Sequence, residues 1–103
     1  MNPVINHGLL KYAGGSCLIS GQAVFSSLDT LAKDLLTEAG KSGTMVIDLK
    51  QVSECDSAFV ALLTACLQLK NQQQQSLVLN NSPEKLLAML DVYGLSDCEL
   101  QIR

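Results

Sequence analysis

The most restrictive feature of this sequence is a stretch that carries no charged residue between Asp56 and Lys70. Its apolar run, residues 58–69, is too short to span a bilayer and is interrupted by Thr64 and Gln68. If Asp56 caps a helix here, the large apolar side chains fall on one wide face at 100° per residue. The residues on that face are Phe59, Leu62, Leu63, Cys66, Leu67 and Leu69. The stretch therefore predicts a helix that covers a β-sheet.

Short apolar segments on both sides of this helix predict the strands of that sheet. Residues 44–49, TMVIDL, form a nearly continuous apolar run, which predicts a central strand buried on both faces. Residues 76–80 predict a second interior strand, and residues 99–102 predict a short last strand. Near the start of the chain, residues 8–12 and 16–20 are separated by a glycine-rich turn, which predicts a β-hairpin.

Capping residues predict two further helices. The first helix is expected to begin at Ser26 and to end at Gly40, with Gly40 in the left-handed conformation that often follows a helix. The other helix is expected to begin with Ser82 as its cap and Pro83 as its first residue, and to end at Gly94.

The predicted order of elements is ββαβαβαβ over residues 1–103. Strand–helix–strand units of this length pair their strands in parallel through right-handed crossovers, and the hairpin adds an antiparallel strand. We therefore expect a single α/β domain with a mixed sheet of about five strands.

Composition argues against several functions. The formal net charge is −3, the seven Lys and Arg residues are scattered, and Trp is absent, so no surface for nucleic acid is predicted. With His7 as the only histidine and no CxxC pair, we expect no metal site, no cofactor and no catalytic triad. The cysteines are expected to be buried thiols, and they are Cys17, Cys55, Cys66 and Cys98. The first ten residues lack the pattern of a signal peptide, and we expect a cytoplasmic protein without catalytic activity.

The polar side of the central helix is narrow and uncharged. Ser57, Ala61, Thr64 and Gln68 fall within a band about 60° wide, opposite the apolar face. Small neutral side chains allow another protein to approach closely at low desolvation cost, although the band could also be a weakly polar solvent face. Ser57, at the predicted start of the helix, could be a phosphorylation site or a small polar contact.

Three segments together resemble the STAS domain family. They are VIDLKQVSECDSAFVALL, the preceding LISGQAVF and the later LLAMLDVYGLSD, and the resemblance extends from about Leu9 to the C-terminus. This family includes anti-sigma-factor antagonists and the small MlaB-type subunit of phospholipid-transporting ABC complexes. In the antagonists a serine after the aspartate, here Ser57, is phosphorylated by a partner kinase. The family commonly has a small residue and a glycine next, whereas this chain has Ala58 and Phe59, which disfavours the switch more than plain docking.

The resemblance therefore implies a non-catalytic STAS subunit that binds and stabilises an ABC transporter ATPase. Such a subunit would support phospholipid transport and outer-membrane lipid asymmetry, and would lie peripheral to an inner-membrane complex without inserting into the bilayer. The alternative is an anti-sigma-factor antagonist that phosphorylation of Ser57 switches, with an anti-sigma factor or serine kinase as partner. The residues expected to contact the partner are Asp56, Ser57, Ala58, Phe59, Ala61, Thr64 and Gln68.

Overall fold

In the part of the chain that the structure describes, the fold is a β-sheet whose successive parallel strands are connected by three helices. The computed structural model describes residues 6–7, 10–13, 16–94 and 100–102. Its strands are β1 (Asn6–His7), β2 (Leu10–Ala13), β3 (Ser16–Ala23), β4 (Met45–Cys55), β5 (Leu77–Asn80) and β6 (Leu100–Ile102). Its helices are α1 (Asp29–Ala39), α2 (Ser57–Gln72) and α3 (Glu84–Val92), and a short 3-10 helix, Phe25–Ser27, precedes α1.

The strands lie in the sheet in the same order as in the chain, from β1 to β6. Strand β2 runs antiparallel to both β1 and β3, and β3, β4, β5 and β6 run parallel to one another. Each parallel pair is joined through a helix, and successive right-handed crossovers in one direction place those helices on the same face of the sheet. Accordingly, α2 contacts both α1 and α3 and forms the centre of the helical layer.

The predicted α/β class, the three helices and the hairpin are confirmed. The hairpin pairs Leu10 with Ile19, and its turn glycines lie outside the described residues. The predicted count of about five strands is not confirmed, because β1 adds a sixth strand by pairing with β2. The last strand is described from Leu100 and pairs in parallel with β5, while Glu99 lies outside the described residues.

Strand β4 is central, as predicted, but it is not buried on both faces. Met45, Ile47 and Leu49 are buried, whereas the alternate residues Val46 and Asp48 are only half-buried. The helical layer covers one face of the sheet, so the side chains of β4 on that face are enclosed more completely than those on the other face. The prediction of two-sided burial was therefore wrong for β4.

The boundaries of α1 differ from the prediction for a tertiary reason. The helix begins at Asp29, after the 3-10 helix, and not at Ser26. Gly40 has a right-handed φ of −73°, while Gly43 has the positive φ of +102°. Lys70 of α2 and Gln73, which directly follows α2, donate hydrogen bonds to backbone carbonyls at the end of α1 and in the turn after it. A left-handed glycine directly at the helix end is therefore not required.

Helix α3 begins at Glu84, and Pro83 occupies the capping position that was predicted for Ser82. The Ser82 hydroxyl is buried and has no hydrogen-bond partner among the described residues. Gly94, in contrast, follows α3 with a φ of +72°, in the left-handed conformation typical of a residue after a helix.

Candidate protein-docking site at the start of helix α2

Asp56 fixes the start of α2, as predicted. Its backbone is extended, and its Oδ1 accepts hydrogen bonds from the backbone N–H groups of Ala58, at 3.0 Å, and Phe59, at 3.4 Å. These are donors that the first turn of a helix leaves without intrahelical partners. Ser57 is therefore the first residue of the helix.

Asp56 makes a second connection that the sequence did not predict. Its other carboxylate oxygen, Oδ2, accepts a hydrogen bond of 3.0 Å from the backbone N–H of Phe25, which lies 31 residues earlier in the chain. The N–H of Phe25 is the largest cause of a lowered pKa for the Asp56 carboxyl, followed among the hydrogen bonds by those from Phe59 and Ala58. One carboxylate thus holds together the 3-10 helix before α1 and the first turn of α2.

The predicted polar band of α2 lies largely on the surface. Ser57, Ala61 and Gln68 are exposed, and Thr64 is half-buried with its hydroxyl donating to the carbonyl of Val60 at 2.8 Å. The opposite side of α2 packs into the core, including Phe59, Leu62, Leu63, Cys66 and Leu67. The helix therefore has one apolar face against the sheet and one neutral face toward solvent.

No charged side chain of α2 reaches the surface. Lys70 is the single charged residue of this 16-residue helix, and its side chain is only 1% exposed. Its ammonium donates to the carbonyls of Lys41, at 2.6 Å, and Gly43, at 2.8 Å, and to Oε1 of Gln73 at 3.3 Å. The charged ammonium of Lys70, at the end of the helix, is thus buried and hydrogen-bonded inside the protein.

An open groove runs along the neutral face. It is lined by Ser57, Val60, Ala61 and Thr64 of α2, and by Tyr93, which caps the C-terminal end of α3. Tyr93 is 57% exposed, because it lies past the last turn of α3 that packs on the core. The groove therefore has small side chains on its floor and an aromatic ring at one edge.

Two residues expected to contact a partner are placed differently. Phe59 is fully buried in the core, so its side chain is not available to another protein, and its inclusion in the expected surface is corrected. Two positions after Ser57, it lies about 200° around the helix, on the side that faces the sheet. Ala58 is half-buried and packs against the core, which leaves it a marginal contact.

A surface ion pair joins β4 and α3 next to this region. Lys85 Nζ and Glu54 Oε1 are 2.7 Å apart, and both side chains are about half exposed. This hydrogen bond lowers the pKa of Glu54 and raises the pKa of Lys85. Asp48, also in β4, accepts from the N–H of Lys50 at 2.9 Å and from the side-chain amide of Asn81 at 3.1 Å.

The part of the chain that is described contains no constellation for metal binding. Within it, no group of three or more His, Cys, Asp or Glu residues could hold a metal ion. Cys17, Cys55 and Cys66 are buried and free, and burial raises the pKa of Cys17 to about 12 and of Cys66 to about 11. Such thiols stay protonated and are poor nucleophiles. Cys98 lies outside the described residues.

No helix within residues 16–94 is both long enough and apolar enough to cross a bilayer.

A family model described as "Mlab, STAS domain" matches residues 17–102, from the second residue of β3 to the end of β6, with α1, α2 and α3 between them. No curated protein matches the chain.

Proposed function

The chain belongs to the MlaB-type STAS domain family, and on that basis we propose that it is a non-catalytic subunit that binds the ATPase of an ABC-type phospholipid transport complex. In this proposal the ATPase docks on the neutral face of α2, which we define as Ser57, Ala61, Thr64 and Gln68 together with Tyr93. The domain stabilises the ATPase and lies at the cytoplasmic side of an inner-membrane complex without entering the bilayer.

The observation that carries this proposal is the absence of exposed charge on α2. Ser57, Ala61 and Gln68 are exposed, while the helix's single charge, Lys70, is buried. Charged groups are depleted at the centres of protein interfaces, because each one must lose its hydration when the partner arrives. A neutral floor of small residues with an exposed aromatic ring at its edge has the composition of an interface centre.

Two substitutions on this face are expected to abolish binding while the domain stays folded. Ala61→Arg places a long cation in the groove, and Ser57→Glu adds a negative charge where the partner backbone would lie. Both are compatible with folding, because Arg is a good helix former and an acidic residue suits the first turn of a helix. The measurement is recovery of the ABC ATPase with the tagged domain from its native cells.

Each variant has a matched control elsewhere on the surface. Ala88→Arg makes the same change at an exposed alanine of α3, and Ser42→Glu makes the same change at an exposed serine near the far end of α2. Both controls are expected to recover the ATPase as the wild-type protein does. If Ala61→Arg and Ser57→Glu also recover it in full while retaining wild-type melting curves, the assigned face is wrong.

The exposure of Ser57, the first residue of α2, favours a second candidate function. A kinase could reach this hydroxyl, and a phosphate there would add nearly two negative charges to the docking face. Under this alternative the domain is an anti-sigma-factor antagonist. Recovery of an anti-sigma factor in place of an ATPase, with phosphate on Ser57 detected by mass spectrometry, would favour the switch.

A further inference from the structure

Phe25 is an exposed aromatic residue that the fold does not use. Its side chain is 79% exposed, although it lies in the short connection between β3 and α1. A phenylalanine in water gives up the favourable free energy of burying its ring. Phe25 is not among the residues of the hydrophobic core, so among the described residues its ring is available to a partner.

Hydrogen bonds hold the backbone around Phe25 in place, both within residues 22–27 and toward the start of α2. Within the segment, the Ser27 hydroxyl donates to the carbonyl of Gln22 at 2.5 Å and lies 3.0 Å from the carbonyl oxygen of Val24. The N–H of Ser27 donates to that carbonyl of Val24 at 2.9 Å. Toward α2, the N–H of Phe25 donates to Oδ2 of Asp56 at 3.0 Å. The ring thus projects from a fixed backbone that is tied directly to the residue before Ser57.

We infer that Asp56 is a positioning residue for the docking face, which holds Phe25 beside Ser57 so that the ATPase contacts both segments together. The inference rests on the proposed function and extends it. Phe25 supplies an apolar anchor for an apolar pocket of the ATPase, while the small residues of α2 allow close approach. Both carboxylate oxygens of Asp56 accept hydrogen bonds within the protein, so in this inference Asp56 acts through the position of Phe25 and not as the direct partner contact that the sequence predicted.

The two oxygens of Asp56 allow its two roles to be separated. In Asp56→Asn the side-chain carbonyl still caps α2, because Asn and Asp are comparable N-caps. In the orientation that keeps this cap, the amide nitrogen takes the place of Oδ2 and cannot accept from the N–H of Phe25, so that connection is lost. Phe25→Ala does the reverse, since it removes the ring and leaves the backbone bond intact.

The test is a double-mutant cycle on binding to the ABC ATPase that is recovered with the wild-type domain. We expect Phe25→Ala and Asp56→Asn each to weaken the Kd about tenfold, and the double variant to be no weaker than Phe25→Ala alone. Val92→Ala, at a residue 80% exposed and outside the groove, is the control and is expected to leave the Kd unchanged. Amide exchange at Phe25 in the free domain is expected to accelerate in Asp56→Asn but not in Val92→Ala.

The outcomes separate this inference from the proposed function. If Ala61→Arg abolishes binding but Phe25→Ala leaves the Kd unchanged, the function stands and the role of Phe25 is overturned. If the effects of Phe25→Ala and Asp56→Asn simply add, or if Phe25 exchange is unchanged in Asp56→Asn, Asp56 does not act through Phe25. If Ala61→Arg has no effect on binding, both proposals fail.

Discussion

Leu63→Asp is expected to leave no cooperatively folded domain. Leu63 is 2% exposed and lies in the middle of α2, within the core between this helix and the sheet. A carboxylate there would be buried without a partner, which costs several kcal/mol in addition to the lost apolar contacts. Domains of this size are stable by only about 5–15 kcal/mol, so we expect far-ultraviolet circular dichroism to show no cooperative melting transition.

The matched control places the same charge on the same helix but on its outer side. Gln68→Asp alters an exposed residue, and its loss of unfolding free energy is expected to stay below about 1 kcal/mol. If Leu63→Asp melted cooperatively near the melting temperature of the wild-type protein, the assignment of the inward face of α2 would be wrong. The assignment of its outward face would then be wrong as well.

Lys70→Met is expected to lower the free energy of unfolding by about 3 kcal/mol, because it removes a buried charged donor from its acceptors. Methionine retains the apolar part of the side chain but leaves the carbonyls of Lys41 and Gly43 without the ammonium that approaches them at 2.6 and 2.8 Å. Urea unfolding measures the difference in unfolding free energy between the variant and the wild-type protein. An unchanged slope of that free energy against urea concentration would show that both expose the same surface area on unfolding.

Lys41→Met is the control for this substitution. The Lys41 side chain is 65% exposed and pairs at 3.1 Å with Glu38, a surface contact whose loss is expected to cost less than about 1 kcal/mol. Equal stability of the two variants would contradict a structural role for the Lys70 ammonium.

Asp56, Lys70 and Gln73 attach the two ends of α2 to the segments that flank α1. At the start of α2, Asp56 accepts from Phe25, which precedes α1. At its end, Lys70 and Gln73 donate to carbonyls of the turn after α1, and Gln73 reaches those of Ala39 and Gly40 at 3.1 Å each. The two ends of α2, a helix of 16 residues, are about 24 Å apart, so the outer face is held at both of its ends. A fixed surface loses less conformational entropy on docking.

The sequence predicted those parts of the fold that depend on local patterns. The apolar spacing in α2 correctly assigned Leu63 to the core and Ala61 to the surface, because side chains on one helix follow a fixed angular period. The Asp56 cap was predictable because it is equally local, since the backbone N–H groups that donate to its carboxylate lie two and three residues away.

Contacts between distant segments could not be predicted in this way. Lysine is rarely buried, and the carbonyls that enclose Lys70 lie 27 and 29 residues earlier in the chain. The bond from Asp56 to Phe25 depends on the register of β3 and β4, in which Ala23 is paired with Cys55. That register brings the residues that follow the two strands together, and only the folded sheet defines it.

Photo-crosslinking from position 61 tests the docking face most directly. A photoreactive phenylalanine derivative replaces Ala61 in one variant and Ala88, which is also exposed, in the other, and both are irradiated in native cells. Our account predicts that position 61 crosslinks to the ABC ATPase and that position 88 does not. Crosslinking from position 88 alone, or no crosslink from position 61 while the domain and the ATPase still purify together, would contradict it.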